Sequence, residues 1–150
     1  MSNEQPTPTF EEALADLAAL IIALQPFRDE VVLCGGFAAW MYRFHPEFGS
    51  PHGVHQITLD IDWAVPKSLA QHELSVAEEL KRREFVPIIF RGDSPPVIKY
   101  QHKRWGNNEP APVCVEFLTP LQGRDKGKSA EKIQSSLNAI LLRYMDLALD

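Results

Sequence analysis

Cysteine is scarce in this chain, basic residues are fewer than acidic ones, and long apolar runs are missing. Only Cys34 and Cys114 occur, both in apolar, strand-like runs where a free thiol packs as a small hydrophobe. The formal net charge of -5 at pH 7 argues against a nonspecific nucleic-acid binder. The sequence has no run of about 18 apolar residues and no charged-then-apolar leader, so we expect neither a membrane span nor secretion. These features predict a cytoplasmic protein in a reducing compartment.

The overall composition is that of an ordinary globular domain. The chain has 150 residues, of which 45% are hydrophobic and 23% charged, enough for a real core. We therefore predict a single domain over residues 1–150, in which residues 1–9 form a flexible arm. The apolar tail at residues 144–149 suggests packing against something further, either an additional C-terminal domain or a partner protein. On that interpretation the chain is the N-terminal part of a longer protein.

Hydrophobic periodicity and turn residues predict helices and strands in alternation. Helices are predicted from the 3.6-residue period and its caps over residues 10–24, 37–45, 68–83 and 130–149. Short β-branched or alternating runs predict strands over residues 31–34, 58–65, 85–90, 97–101 and 113–118, the third and fourth forming a hairpin. This order predicts an α/β (α+β) fold with a mixed β-sheet flanked by helices.

Two aspartates in the second predicted strand need a physical reason. Successive side chains of a strand alternate between faces, so Asp60 and Asp62 point one way while Ile61 and Trp63 point the other. Two like charges side by side repel each other and lose hydration unless a cation lies between them. A divalent ion such as Mg²⁺ meets that need, so the strand is a candidate metal site.

A third acid lies in a later strand. Glu116 is the sole charge of an apolar run, and it would join the aspartates if its strand paired beside theirs with the same face. Three carboxylates on one patch are suited to two Mg²⁺ ions and in-line phosphoryl transfer.

Three segments together resemble the polymerase β-like nucleotidyltransferase superfamily, and in particular small bacterial nucleotidyltransferases related to abortive-infection and toxin–antitoxin enzymes. They are Leu33-Cys34-Gly35-Gly36-Phe37-Ala38-Ala39-Trp40, Thr58-Leu59-Asp60-Ile61-Asp62 and Val115-Glu116-Phe117-Leu118-Thr119-Pro120. In that family a strand ends in Gly-Gly or Gly-Ser, a helix follows, the next strand carries Asp-x-Asp, and a later strand brings a third acid.

The resemblance implies a nucleotidyltransferase-like fold and a reaction. A nucleoside monophosphate would pass from an NTP to the hydroxyl of a small molecule, an RNA or a protein, with release of pyrophosphate. The cofactor would be Mg²⁺, or Mn²⁺ in its place. The implied catalytic and metal-binding residues are Asp60, Asp62 and Glu116, with Glu116 also the base, and the implied nucleotide-binding residues are Gly35, Gly36 and Thr58.

Other interpretations stay open. Relatives often carry Arg where this chain has Gln56, and Asp where it has Glu116, which would suit a catalytically inactive nucleotide- or partner-binding module of the same fold. A metal-dependent nucleotide-sugar glycosyltransferase also uses Asp-x-Asp. Near the predicted hairpin, a basic and aromatic cluster either holds a triphosphate or nucleic acid or is a solvated hairpin end. Its members are Lys99, Tyr100, His102, Lys103, Arg104 and Trp105.

Overall fold

A computed structural model describes residues 9–47, 59–106, 112–125 and 127–150 of the chain. In these ranges four α-helices accompany a seven-stranded mixed sheet, which confirms the predicted mixed α and β class. The helices are α1 (Phe10–Ala23), α2 (Gly35–Tyr42), α3 (Val76–Arg82) and α4 (Asp146–Leu149). The strands are β1 (Val32–Cys34), β2 (Asp60–Ala64), β3 (Phe85–Phe90), β4 (Val97–His102), β5 (Cys114–Pro120), β6 (Ala130–Gln134) and β7 (Leu137–Leu142).

The sheet is organised around β5. Its neighbours are β2 and β7, both parallel to it, and the antiparallel β4. From these the sheet extends to β1, which pairs antiparallel with β2, to β3, which forms the predicted hairpin with β4, and to β6, which pairs with β7. The three candidate acids therefore lie on two adjacent strands inside the sheet, Asp60 and Asp62 on β2 and Glu116 on β5.

One face of the sheet carries the hydrophobic core. Ile61 of β2 and Phe117 of β5 are fully buried there, and they belong to the same cluster as Leu20 of α1, Phe37 of α2 and Leu80 of α3. Helix α1 begins as predicted, because Thr9 caps its amino end and Glu12 completes the capping box. None of the helices in the described ranges has the length and apolar character that crossing a bilayer requires. Apart from Thr9, the predicted flexible arm lies outside the described residues.

The predicted helix over residues 130–149 is wrong. This segment forms the β6–β7 hairpin and then the short helix α4. Ser136 turns the chain between the two strands with a positive φ of 60°, a conformation that a continuous helix does not contain. Leu137, Ala139 and Leu141 are buried, Leu137 and Ala139 belong to the hydrophobic core, and the end of β7 pairs with β5. A short apolar run fits both the helical and the strand period, and here the pairing of β7 with β5 and β6 selects the strand.

The third helix is shorter than predicted. It begins at Val76 instead of near Ser68, because Ser75 accepts the capping bond and Glu78 closes a capping box. The chain before it is irregular and is fixed partly by Glu30, whose Oε2 accepts a hydrogen bond of 2.8 Å from the Ala70 amide. A serine by itself, such as Ser68, does not mark the start of the helix. The Ser-x-x-Glu spacing of Ser75 and Glu78 does.

Candidate active site

The register between β2 and β5 sets the geometry of the site. These strands are parallel, with Asp60 opposite Cys114 and Asp62 opposite Glu116. Neighbouring residues in register point to the same face, so all three acids lie on the face opposite the core. Ile61 and Trp63 face the core and are buried, as the alternation predicted. The arrangement that the sequence analysis required of Glu116 is present.

The electrostatics of this acidic face, which we define as Asp60, Asp62 and Glu116, penalise ionisation of the aspartates. Burial raises the pKa of Asp62 to about 6, with further contributions from the charges of Glu116 and Asp60, and Lys99 offsets only part of this. Burial and the charge of Glu116 also raise the pKa of Asp60. Repulsion and lost hydration both favour a nearby cation, and perturbed carboxylates of this kind are typical of functional sites.

A lysine supplies one positive charge to this face. Tyr100 of β4 pairs with Val115 of β5, and this register brings the adjacent Lys99 beside Glu116. The Lys99 ammonium donates a hydrogen bond to Glu116 Oε1, and the two side chains are only 26% and 15% exposed. Burial is the largest single influence on the pKa of Lys99 and lowers it, but the bond to Glu116 and the nearby negative charges of Glu116, Cys114 and Asp60 together raise the pKa above its usual value. The sequence analysis did not place Lys99 with the acids.

The Gly35 turn lies directly against Asp62. Gly35 has a φ of +68°, which favours glycine, and a Cβ built on it would overlap Asp62 Oδ2 and lie 3.2 Å from Cγ. The Cys34 thiol donates to the Asp62 backbone carbonyl at 3.5 Å, and burial, then the Asp62 carboxylate, raises its pKa to about 11. This thiol is therefore protonated and unreactive at neutral pH.

Gly36 lies in the first turn of α2, so the helix begins two residues earlier than predicted. Cys34 occupies the N-cap position and makes no side-chain capping bond, which leaves that turn's amide groups without this partner. Thr58, the remaining residue that we predicted to bind nucleotide, and Gln56, which stands where relatives often carry Arg, both lie outside the described residues.

The donor set of the acidic face fits a hard divalent cation in its chemistry. Carboxylate oxygens are the ligands that Mg²⁺ and Mn²⁺ prefer, and the raised pKa of Asp62 shows how poorly its charge is compensated. Across the described ranges, however, no three His, Cys, Asp or Glu side chains are grouped closely enough to hold a metal ion. Glu116 is instead bonded to Lys99.

The rest of the basic cluster is engaged in structural contacts. Arg104 and the Trp105 indole N–H both donate to the carboxylate of Asp16, which is fully buried in α1. Lys103 pairs with Glu84 at the end of the hairpin. These contacts join the turn that follows β4 to α1 and to the start of β3. Lys103 and Arg104 are exposed, as a solvated hairpin end predicts, whereas Trp105 is buried. Triphosphate or nucleic-acid binding by the cluster stays a prediction.

Comparisons of the chain with models of protein families, with curated proteins and with solved structures found no match. The function has to be argued from the site.

Proposed function

We propose that the chain is a Mg²⁺-dependent nucleotidyltransferase with a nucleotidyltransferase-like fold. It moves a nucleoside monophosphate from an NTP to an acceptor hydroxyl and releases pyrophosphate. The observation that carries the proposal is the parallel β2–β5 register, which brings Asp60, Asp62 and Glu116 onto one face beside the Gly35 turn.

The order of the elements supports the proposal. Strand β1 ends at the glycine pair, α2 follows, the antiparallel neighbour β2 carries the two aspartates, and β5 brings the later acid to its side. This is the order of motifs in the family that the sequence resembles. Because β2 and β5 are distant in the chain, their adjacency is a separate observation from the motif itself.

Each residue has a defined part in the proposed reaction. Asp60 and Asp62, with Glu116, would hold Mg²⁺ or Mn²⁺, which when bound neutralises charge on the triphosphate. Glu116 accepts the proton of the acceptor hydroxyl, whose oxygen forms a bond to the α-phosphorus as the bond to the pyrophosphate oxygen breaks. The backbone at Gly35 and Gly36 lets phosphate oxygens approach the uncapped first turn of α2.

The bond between Lys99 and Glu116 favours a second candidate. If Glu116 stays neutralised by Lys99, the face has two acids and no free base, which suits a nucleotide- or partner-binding module without catalysis. Metal-dependent label transfer separates the candidates.

The test is incubation with each NTP labelled at the α-phosphate, Mg²⁺ and cell extract, which supplies the unidentified acceptor. We expect the parent chain to label an acceptor, and a variant carrying Asp60→Asn and Asp62→Asn to label it roughly 100-fold less or below detection. Asp29→Asn is the matched control, because its side chain is 90% exposed. Equal labelling by the parent and the double variant refutes catalysis by these acids. Nucleotide binding without any label transfer supports the binding module.

A further inference from the structure

We propose that Lys99 is an internal counter-ion that competes with a divalent cation for Glu116 and yields its place when a metal–triphosphate complex enters. The inference rests on the proposed divalent-cation site. It adds a regulatory property to that site: free metal binds weakly, whereas metal accompanied by triphosphate binds well.

The position of Lys99 is defined by three contacts. The pairing of β4 with β5 fixes its backbone beside Glu116, and its ammonium bonds to Glu116 Oε1. On another side the ammonium lies 5.5 Å from the centre of the Phe90 ring, a cation–π distance. A cation is therefore already present where the third carboxylate of a metal site would act.

Charge explains the expected competition. Asp60, Asp62 and Glu116 carry three negative charges when ionised, and Lys99 leaves two of them uncompensated. A divalent ion that approaches Glu116 meets a positive charge at contact distance, and repulsion in a half-buried site is strong. A triphosphate brings negative charge of its own, to which the flexible lysine can transfer its bond.

A purely structural ion pair would behave differently. In that case the bond between Lys99 and Glu116 would only hold β4 against β5, and loss of the lysine would lower stability without improving metal binding. Measurement of metal affinity therefore separates the two roles.

The experiment uses Mn²⁺ alone as the probe, with free Mn²⁺ measured by electron paramagnetic resonance during titration of the chain. We expect Lys99→Met to bind Mn²⁺ on the order of tenfold more tightly than the parent, because one competing charge is removed. When NTP is also present, Lys99→Met is expected to bind the Mn²⁺–NTP complex more weakly than the parent does, because the triphosphate loses the lysine as a partner. Lys81→Met in α3 is the matched control, since Lys81 is exposed and its helix packs with the core.

A second pair of variants links the effect to the carboxylate. In a Glu116→Gln background, Lys99→Met is expected to change Mn²⁺ affinity by a smaller factor, since the contested ligand is gone. Lys99→Arg keeps the charge and is expected to retain the parent affinity. If Lys99→Met does not fold, Lys99→Gln carries the same expectation.

The outcomes separate this inference from the proposed function. Mn²⁺ affinity that is unchanged or weaker in Lys99→Met overturns the counter-ion role, even where NMP transfer proceeds. Tighter Mn²⁺ binding without NMP transfer upholds the counter-ion role and overturns the enzyme. Absence of Mn²⁺ binding by both the parent and Lys99→Met, with NTP as well as without it, overturns both.

Discussion

Replacing Asp62 by asparagine is expected to stabilise the folded chain in metal-free buffer at pH 8. Burial and the negative charges of Glu116 and Asp60 disfavour the ionised form of the Asp62 carboxylate. One of its oxygens also lies against the Gly35 turn. Asparagine keeps the shape and removes the charge. If Asp62 is kept for function at a cost in stability, then its replacement is expected to stabilise the chain.

The magnitude follows from the pKa. Folding raises the pKa of Asp62 from 3.8 to about 6, and each unit corresponds to about 1.4 kcal/mol, so the ceiling is about 3 kcal/mol. Because the side chain is only half-buried, solvent screening reduces this, and we expect about 1–1.5 kcal/mol.

The pH dependence has a definite sign. Between pH 3.8 and about 6 the folded state holds a proton on Asp62 that the unfolded chain has lost, so stability falls as pH rises through this window. Above it the full penalty is present, and below it the penalty disappears. The advantage of Asp62→Asn should therefore be largest at pH 8 and fall to roughly half at pH 5.

The assay is urea denaturation of the parent and Asp62→Asn at both pH values, with EDTA present. Asp29→Asn is again the control, and its exposed position predicts a change under about 0.5 kcal/mol. A variant that is less stable than the parent at pH 8, or an advantage that grows at pH 5, would refute the electrostatic reasoning.

Three further substitutions test other parts of the structure. Gly35→Ala should lower the free energy of unfolding by about 2 kcal/mol or more, because the new Cβ meets Asp62 Oδ2 in addition to the cost of a positive φ. Arg104→Met should cost about 3 kcal/mol, because it removes the cationic partner of the buried Asp16 carboxylate. Ser136→Gly should stabilise by about 0.5–1 kcal/mol, since glycine relieves the positive φ of the β6–β7 turn. Urea titration measures all of them.

Each of these expectations has an opposite outcome. A cost of about 1 kcal/mol or less for Gly35→Ala, which the positive φ alone explains, would mean that Asp62 does not crowd the glycine turn. A change below 1 kcal/mol for Arg104→Met would mean that Asp16 is not charged or has another cation. Destabilisation by Ser136→Gly would favour the helix that the sequence predicted over the hairpin.

Local signals predicted the parts of the fold that depend on local chemistry. Thr9 and Glu12 fixed the start of α1, and the proline-containing turn fixed the β3–β4 hairpin. The β6–β7 hairpin was not predicted, because residues 130–149 suit a helix locally and only pairing with β5 selects the strand. The hydrophobic pattern of one segment does not show which other segment pairs with it.

The same limit applies to the site. Alternation in β2 predicted which side chains share a face with Asp62, and the structure has them there. The contact of Lys99 with Glu116 was not predictable, because it depends on β4 lying beside β5. The signal nearest to it was the alternation of Ile98 and Tyr100 toward the core, which turns Lys99 to the opposite face.

The central position of β5 has a consequence for folding. Its partners β2 and β7 run parallel to it and are not joined to it by hairpins, so these pairings bring together residues separated in sequence, those of β2 by the most, and such contacts form slowly. Asp62 and Glu116 meet through one of those pairings. We therefore expect the acidic face to form late in folding, because it depends on the slow pairing of β2 with β5.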